Sequence, residues 1–324
     1  MKKFTQLTLK ERYQISAYIK VGYTQNDIAK LLDKSQSTIS RDINRNSKYN
    51  KYQAEIAEQL TFSRHKKKNK FIKLTKKAKV YIQEKLKLDW SPKQISGVMK
   101  KHNLSYAVSY ETIYQYIYQD KSSGGRLYFR LRHKNKKYHK RSNDYNTRGI
   151  IKNRVSIDKR PNIVERKSRV GDWEIDTVIG ANHKGALVTI VDRKSKFTLI
   201  KNIPSKHAAI VSQATIDMLL PIRALTHTIT SDNGKEFAYH EQVSKALDTN
   251  FYFANPYHSW ERGLNEHTNG LIRQYLPKKT DFTKVEDGKI RFIQDRLNNR
   301  PRKVLAYKTP AEVFYATIFK KLSA

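Results

Sequence analysis

The chain has 324 residues, enough to bury the cores of two or three domains. It carries 65 Lys and Arg against 29 Asp and Glu, and a positive charge of this size attracts a polyanion, so nucleic acid is the first candidate partner. The absence of cysteine excludes disulfides and cysteine-ligated zinc. The sequence contains neither a run of about 18 apolar residues nor the apolar core of a secretory signal, so a membrane partner is not predicted.

The positive charge is concentrated in the N-terminal half. Residues 1–170 hold 42 Lys and Arg against 13 Asp and Glu, a net charge of +29, whereas residues 171–324 contribute +7. We therefore expect most of the nonspecific attraction to DNA to come from the first half of the chain.

Three short helices are predicted within residues 9–46, where Thr24 and Ser35 are placed to cap the second and third. Apolar pairs at i and i+4 let these two helices pack as a helix-turn-helix. A small helical bundle with solvated polar faces is the alternative. We predict a DNA-binding domain over residues 1–62, whose third helix offers side chains for phosphates or base edges, namely Gln36, Ser37, Thr38 and Arg41.

A second helical DNA-binding unit is predicted over residues 63–120, after the basic tract RHKKKNK. Ser91 is placed as an N-cap and Pro92 fits the first helical position of SPKQISGVMKKH. In the next segment a tyrosine recurs every fourth residue, which favours a core stripe over a platform for stacking bases; the three are Tyr110, Tyr114 and Tyr118. Residues 121–169 are predicted to form a basic linker that lies along DNA or serves as a solvated tether.

Residues 170–324 are predicted to form an α/β domain. Three alternating apolar segments, GDWEIDTVIG, GALVTIVDRK and FTLIKNIP, indicate a strand meander, and helices then alternate with the strands THTITSD and NFYFANP. Two helical segments, near 284–299 and 310–321, end the chain. This order describes a mixed sheet flanked by helices.

Carboxylates fall at distinctive places in this domain. Asp176 lies in the first strand, and Asp232 directly follows a later one, next to an Asn-Gly turn. Residues 257–279 are predicted to form one helix, in which Glu266 projects opposite the apolar stripe. Glu261 projects about 140° away from Glu266, so we expect it to be a structural residue near the helix start.

Three acids from separate elements are the kind of ligands that two Mg²⁺ or Mn²⁺ ions require, since hard oxygen donors leave room for water and a phosphate. Between Asp232 and Glu266 lie 33 residues, enough for a turn, a helix, a strand and a loop. Asparagines beside the acids are candidates for orienting the site, namely Asn233, Asn265 and Asn269.

The chain resembles bacterial insertion-sequence transposases of the integrase-core, Asp-Asp-Glu type, most closely the insertion-sequence-thirty family. The resemblance is carried by WEIDTVIG, SDNGKEF, NPYHSWERGLNEHTNGLIRQYLPK and LNNRPRKVLAYKTPAEVF, and by the N-terminal helix-turn-helix, which is similar to the family's reader of terminal inverted repeats.

The resemblance implies an RNase H-like catalytic domain in which Asp176, Asp232 and Glu266 are the catalytic, metal-binding triad. Arg273 takes the place of a basic residue near the reacting DNA. The implied reaction nicks the element's ends and joins the freed 3'-hydroxyl to target DNA by two-metal phosphoryl transfer. It also implies a homodimer or higher oligomer on DNA, because two ends must be joined, and a cytoplasmic, nucleoid-associated location in a bacterium.

Other polar and aromatic residues near the triad have simpler expected roles. Asp172 and Glu174 share the strand face of Asp176, and Asp192 lies in a predicted hairpin turn, but none is expected to bind metal. No histidine is assigned as a ligand, including His183, His258 and His267, and Trp173 and Trp260 are expected to pack. The alternative functions are a DNA-binding transcriptional repressor and a catalytically inactive element copy.

Overall fold

The computed structural model describes residues 6–49, 51–67, 74–132, 151–255 and 263–322. The chain forms two compact units, Met1–Ile72 and Lys73–Ala324. Residues 73–120 of the predicted second helical unit therefore fall in the same compact unit as the sheet, whereas residues 63–72 fall in the first. His258, Trp260 and Glu261, for which roles are predicted above, lie outside the described residues.

Four helices make up the N-terminal unit: α1 Leu9–Val21, α2 Gln25–Leu31, α3 Gln36–Asn46 and α4 Ala54–Lys67. The side chains of Thr24 and Ser35 accept hydrogen bonds from Asp27 N and Thr38 N, so both predicted caps are present. The core is formed by residues from all four helices and the flanking loops, namely Leu7, Ile15, Ile28, Ala29, Ile39, Tyr52 and Ala57.

Helix α4 was not predicted, because its C-terminal turn runs into the basic tract and masks the apolar pattern. It is joined to α1 by an ion pair with the buried side chain of Arg12. The Arg12 guanidinium donates to Asp42 Oδ1 of α3 at 3.1 Å and to Glu58 of α4. A buried ion pair of this kind fixes three helices around one cation.

The second helical region consists of α5 Lys76–Lys87, α6 Pro92–Lys101 and α7 Tyr110–Ser122. Ser91 and Gln94 form the predicted capping box at the start of α6. The prediction of a tyrosine core stripe in α7 is wrong, because Ile113 and Ile117 take the buried face and leave Tyr110 and Tyr118 46% and 55% exposed.

The sheet has five strands: β1 Asp172–Ile179, β2 Ala186–Asp192, β3 Thr198–Ile203, β4 Thr228–Ser231 and β5 Asn250–Phe253. Their order is β3-β2-β1-β4-β5. The meander β1–β3 is antiparallel, whereas β4 pairs parallel with both β1 and β5, so the sheet is mixed as predicted. The C-terminal ends of β1 and β4 consequently point the same way.

Helices cover both faces of the sheet. The short helix α8 Asn162–Glu165 precedes β1, and the larger helices are α9 Ala208–Leu219, α10 His240–Leu247, α11 Gly263–Ile272, α12 Asp287–Asn298 and α13 Pro310–Leu322. Trp173 and Ile175 of β1 pack with residues of α9, α10 and α13 in one core. Val178 packs with residues of α11 and α12 in a second core on the opposite face.

The segment Ala208–Leu225 is long and apolar enough to meet the length and composition criteria for a membrane span. Its helix α9 nevertheless places Val211, Ala214 and Leu219 in the core of the sheet. The apolar character of α9 is thus explained by packing on one face of the sheet.

The helices α5–α7 contact the part of the chain that follows α11. Tyr275 OH donates to Asp89 Oδ2 at 2.9 Å, and Gln94 Nε2 donates to the main-chain oxygen of Pro301 at 2.7 Å. Gly97 of α6 packs so closely on the Tyr307 ring that a Cβ at this position would lie 2.0 Å from a ring carbon. A side chain at residue 97 would therefore separate the two regions.

Candidate active site

Alternation along β1 determines which side chains face α11. Trp173 and Ile175 point into the core under α9, so Asp172, Glu174 and Asp176 point to the opposite face, which α11 and α12 cover. Asp176 is the last of these acids along β1 and lies opposite Thr189 of β2. It is therefore placed towards the edge where β1 ends.

A hydrogen-bond chain joins Asp176 to α11. Asn269 Nδ2 donates to Asp176 Oδ2 at 2.8 Å, and the Thr177 amide donates to Asp176 Oδ1 at 2.9 Å. Thr189 Oγ1 donates to Asn269 Oδ1 at 3.2 Å, which fixes the orientation of the amide. The predicted orienting residue Asn269 thus contacts a triad carboxylate directly.

Asp232 directly follows β4, the parallel neighbour of β1. The Gly234 amide donates to Asp232 Oδ1 at 2.8 Å, so the carboxylate closes its own turn. Asn233 Nδ2 donates to the main-chain oxygen of Ala254 at 2.7 Å, and the Arg154 guanidinium donates to Asn233 Oδ1. Asn233 therefore ties the Asp232 turn to the chain that follows β5.

Glu236 is a further carboxylate at this edge, and it was not singled out from the sequence. Its Oε1 accepts from Thr177 Oγ1 at 2.9 Å. A Cβ at Gly234 would lie 2.5 Å from Glu236 Oε2 and 2.8 Å from Asp232 Oδ1, so both oxygens crowd the same glycine. Glu236 thus connects the Asp232 turn to the residue that follows Asp176.

Glu266 is exposed in the first turn of α11. The helix is shorter than predicted, since it ends at Ile272 and only its part from Gly263 is described. Within the described ranges, no group of three or more His, Asp or Glu side chains is arranged to hold a metal ion. The structure therefore places the three predicted acids on β1, after β4 and on α11 without showing a closed ligand cluster.

Arg273 follows the last residue of α11 and is partly buried. Its Nη2 donates to the main-chain oxygen of Ile179 at 2.8 Å, and its Nη1 donates to that of Pro277 at 3.3 Å. The guanidinium also lies 5.4 Å from the centroid of the Phe282 ring, and burial lowers its pKa. These contacts pin α11 to the end of β1, while contact between Arg273 and DNA stays a prediction.

Asn265, the third predicted orienting residue, is buried at 1% exposure on the sheet side of α11. Among the described residues, neither its amide nitrogen nor its amide oxygen has a hydrogen-bond partner. Burying an amide in this way costs free energy, and we have no physical account of it.

The acids not expected to bind metal are held by other groups. Asp172 receives two hydrogen bonds from Arg169, and Glu174 Oε1 pairs with Arg193 Nη1 at 2.7 Å. Asp192 accepts from the Gly171 and Ser195 amides, although burial raises its pKa. These carboxylates hold the start of β1 and the β2–β3 turn in place.

The predicted reading face of α3 is accessible. Gln36, Ser37 and Arg41 are exposed, whereas Thr38 is partly buried and its hydroxyl lies 2.7 Å from the capping Ser35 hydroxyl. Gln36 Nε2 donates weakly to Gln25 Oε1 at 3.4 Å. The helix therefore presents polar side chains outward, as a groove-reading helix requires.

Two family models match separate parts of the chain. A helix-turn-helix domain matches residues 3–46, which contain α1–α3. An integrase core domain matches residues 167–259, which contain the whole sheet with Asp176 and Asp232. The first match lies within the predicted DNA-binding domain, residues 1–62, and the second overlaps the first part of the predicted catalytic domain, residues 170–324.

Two relatives that match along most of the chain are transposases. The chain is 44% identical over 310 residues to the transposase for insertion sequence element IS4351 of Bacteroides fragilis, a match that covers 95% of each chain. It is 34% identical over 320 residues to transposase InsI for insertion sequence element IS30A of Escherichia coli (strain K12), which covers 95% of this chain and 82% of that one.

Among solved structures, the catalytic core domain of BIV integrase is similar at 21% identity and a TM-score of 0.38, covering 47% of this chain and 98% of that one. The assignment rests on the relatives that match along the whole chain. On that basis the chain belongs to the insertion-sequence-thirty (IS30) family of transposases, with an N-terminal helix-turn-helix and an integrase core.

Proposed function

We propose that this transposase nicks DNA at the terminal inverted repeats of its mobile element and joins the freed 3'-hydroxyl to a strand of target DNA. Asp176, Asp232 and Glu266 are the proposed catalytic residues. The observation that carries the proposal is their placement: two aspartates lie near the ends of adjacent parallel strands, and Asn269 ties the glutamate's helix to one of them.

The donor set fits a divalent cation by its chemistry, because carboxylate oxygens are the ligands that Mg²⁺ and Mn²⁺ prefer. Asp176, Asp232 and Glu266 would hold the proposed pair of ions. When bound, such ions supply Lewis acidity towards the oxygens of the phosphodiester. Glu266 would join the set from α11, which Asn269 attaches to Asp176 of β1.

The protein's own residues prepare the site for two successive in-line attacks on phosphorus. Asn269 and the Thr177 amide hold the Asp176 carboxylate in one orientation, and the Gly234 amide does the same for Asp232. Such preorganisation lowers the cost of arranging charge when water, and then the 3'-hydroxyl, attacks. No covalent enzyme intermediate is required.

The exposed face of α3 is the proposed reader of the terminal repeat, through Gln36, Ser37, Thr38 and Arg41. Joining two ends requires two active sites to be brought together, so we propose a homodimer or higher oligomer on DNA. The proposed place of action is the bacterial cytoplasm, at the nucleoid, because the substrate is chromosomal DNA.

A strand-transfer assay with labelled terminal repeats, a target plasmid and Mg²⁺ tests this function. We expect Asp176→Asn and Asp232→Asn to bind the repeats normally and to lose nicking and joining. Asp217→Asn is the matched control, because Asp217 lies on α9 in an exposed pair with Lys201. If the wild-type protein binds the ends but neither nicks nor joins them with any divalent metal, the proposal fails and a repressor is favoured.

A further inference from the structure

Three arginines meet beside α11, and we call them the arginine cluster: Arg132, Arg300 and Arg302. Arg132 comes from the end of the α5–α7 region, whereas Arg300 and Arg302 follow α12. Arg300 donates to Tyr275 OH at 2.6 Å and to Gln274 Oε1 at 3.3 Å. Arg302 Nη2 donates to the main-chain oxygen of Leu297 at 3.2 Å.

In the described part of the chain, none of the three forms a direct ion pair with a carboxylate. Asp89 acts on Arg300 from farther away, through Tyr275 OH, and offsets only part of the effect of burial on the Arg300 pKa. Burial, together with Arg300 and Arg132, lowers the pKa of Arg302 to about 10. The protein therefore keeps cations close together at a cost in free energy, and an anion would remove that cost.

Arg132 is the member closest to the catalytic helix. A Cβ at Gly270 would lie 2.7 Å from Arg132 Nη2, so the guanidinium occupies the space that the missing side chain leaves on α11. Gly270 follows Asn269, which donates to Asp176, and lies one helical turn beyond Glu266. Arg132 thus reaches the same stretch of α11 that carries the proposed catalytic residue Glu266.

We propose that the arginine cluster is a binding site for one backbone phosphate of the DNA strand next to the cleaved bond. Arg132 contacts the phosphate with its planar fork, and Arg300 and Arg302 supply further positive potential. This inference rests on the proposed function, because it assumes that the DNA passes over α11. It also gives the α5–α7 region a role in placing Arg132 at the active site.

The proposal is tested by the affinity of the full-length protein for a duplex that spans the repeat end and its flank, measured at several salt concentrations without divalent metal. Losing one phosphate contact should reduce the slope of log K against log salt by about 0.9, equivalent to about fivefold weaker binding at 0.15 M salt. We expect this for Arg132→Ala.

Two further variants make the measurement specific. Gly270→Ala adds a Cβ that meets only the far end of the Arg132 side chain, so it should displace the guanidinium without unfolding α11 and should reduce affinity in the same way. Arg130→Ala removes the same charge from an exposed neighbour and should leave the salt slope unchanged. An equal loss in Arg130→Ala and Arg132→Ala would overturn the proposal.

The contacted phosphate is identified with duplexes that carry a single neutral methylphosphonate at successive positions. We expect one position beside the cleaved bond to weaken binding by the wild-type protein and to have no added effect on Arg132→Ala. If every position weakens both proteins equally, the cluster binds no phosphate. Because no cleavage is needed, this result is independent of whether the wild-type protein nicks and joins DNA.

Discussion

Arginines with shifted pKa values have opposite surroundings in the two compact units. In the N-terminal unit, Arg12 is 3% exposed and donates to Asp42 and Glu58, which raise its pKa although burial alone would lower it. In the catalytic unit, Arg302 lies near two other arginines, and its pKa falls to about 10. The charge of Arg12 is neutralised by carboxylates of the protein itself, whereas the arginine cluster is suited to bind a negatively charged ligand.

The largest loss of stability is expected when Arg12 loses its buried carboxylate partner. Asp42→Ala leaves the Arg12 charge buried with only the half-exposed Glu58, and we expect the N-terminal unit to lose about 3 kcal/mol of stability. Glu58→Ala should cost less than about 1 kcal/mol, because that carboxylate is solvated. Hydrogen exchange of the α1 and α3 amides measures both. Equal losses of stability in the two variants would show that the burial of the carboxylate partner does not matter.

The next prediction concerns DNA affinity and the exposed side chain of Arg41. Arg41→Ala should weaken binding to the terminal repeat by about tenfold and lower discrimination against unrelated DNA, because a base or phosphate contact is lost. Lys20→Ala removes an equal charge from the exposed end of α1 and should change affinity much less. Unchanged affinity and salt slope in Arg41→Ala would remove α3 as the reader.

A smaller change in stability is expected when an arginine of the cluster is replaced. Arg302→Met removes a cation that repels its neighbours, so the free energy of unfolding should change by less than about 1 kcal/mol or increase. DNA affinity should fall in the same variant. Chemical denaturation of the full-length protein gives the first quantity. A loss of stability as large as that of Asp42→Ala would mean that Arg302 is a structural residue like Arg12.

A pH dependence of stability is also expected. Burial lowers the pKa of Lys196 to about 8, with a further contribution from Lys167. Between that value and the ordinary lysine pKa, the unfolded chain binds a proton that the folded chain does not, so stability should rise as pH increases. Below pH 8 this contribution is constant. Lys196→Met should flatten the increase in thermal stability measured from pH 8 to 10, and an unchanged profile would contradict the assignment.

The sequence predicted elements whose signals are local. Helix caps such as Thr24, Ser35 and Ser91 depend on residues within three positions, and all three are present. Strand alternation likewise put Asp172, Glu174 and Asp176 on one face of β1, and in the structure this is the face that α11 and α12 cover. The prediction of a tyrosine core stripe in α7 was wrong because a second pair in the same helix, Ile113 and Ile117, has the same four-residue spacing. That pair occupies the buried face.

Contacts that depend on tertiary packing could not be predicted. Glu236 was visible in SDNGKEF, yet its bond to Thr177 joins residues 59 apart in the chain. Arg132 lay in a segment interpreted as a linker, and only the packing of α5–α7 on the catalytic region brings it to Gly270. Arg273 was a candidate through the family resemblance, and its hydrogen bonds to main-chain oxygens could not be predicted.

We assign catalysis to Glu266 rather than to Glu261, five residues before it in the sequence. Single-turnover strand transfer by Glu266→Gln and Glu261→Gln, with equal binding to the terminal repeats verified first, tests this most directly. We predict that Glu266→Gln reduces the rate by at least about a thousandfold and that Glu261→Gln retains substantial activity. Near-normal joining by Glu266→Gln, or equal losses in both variants, would contradict the account.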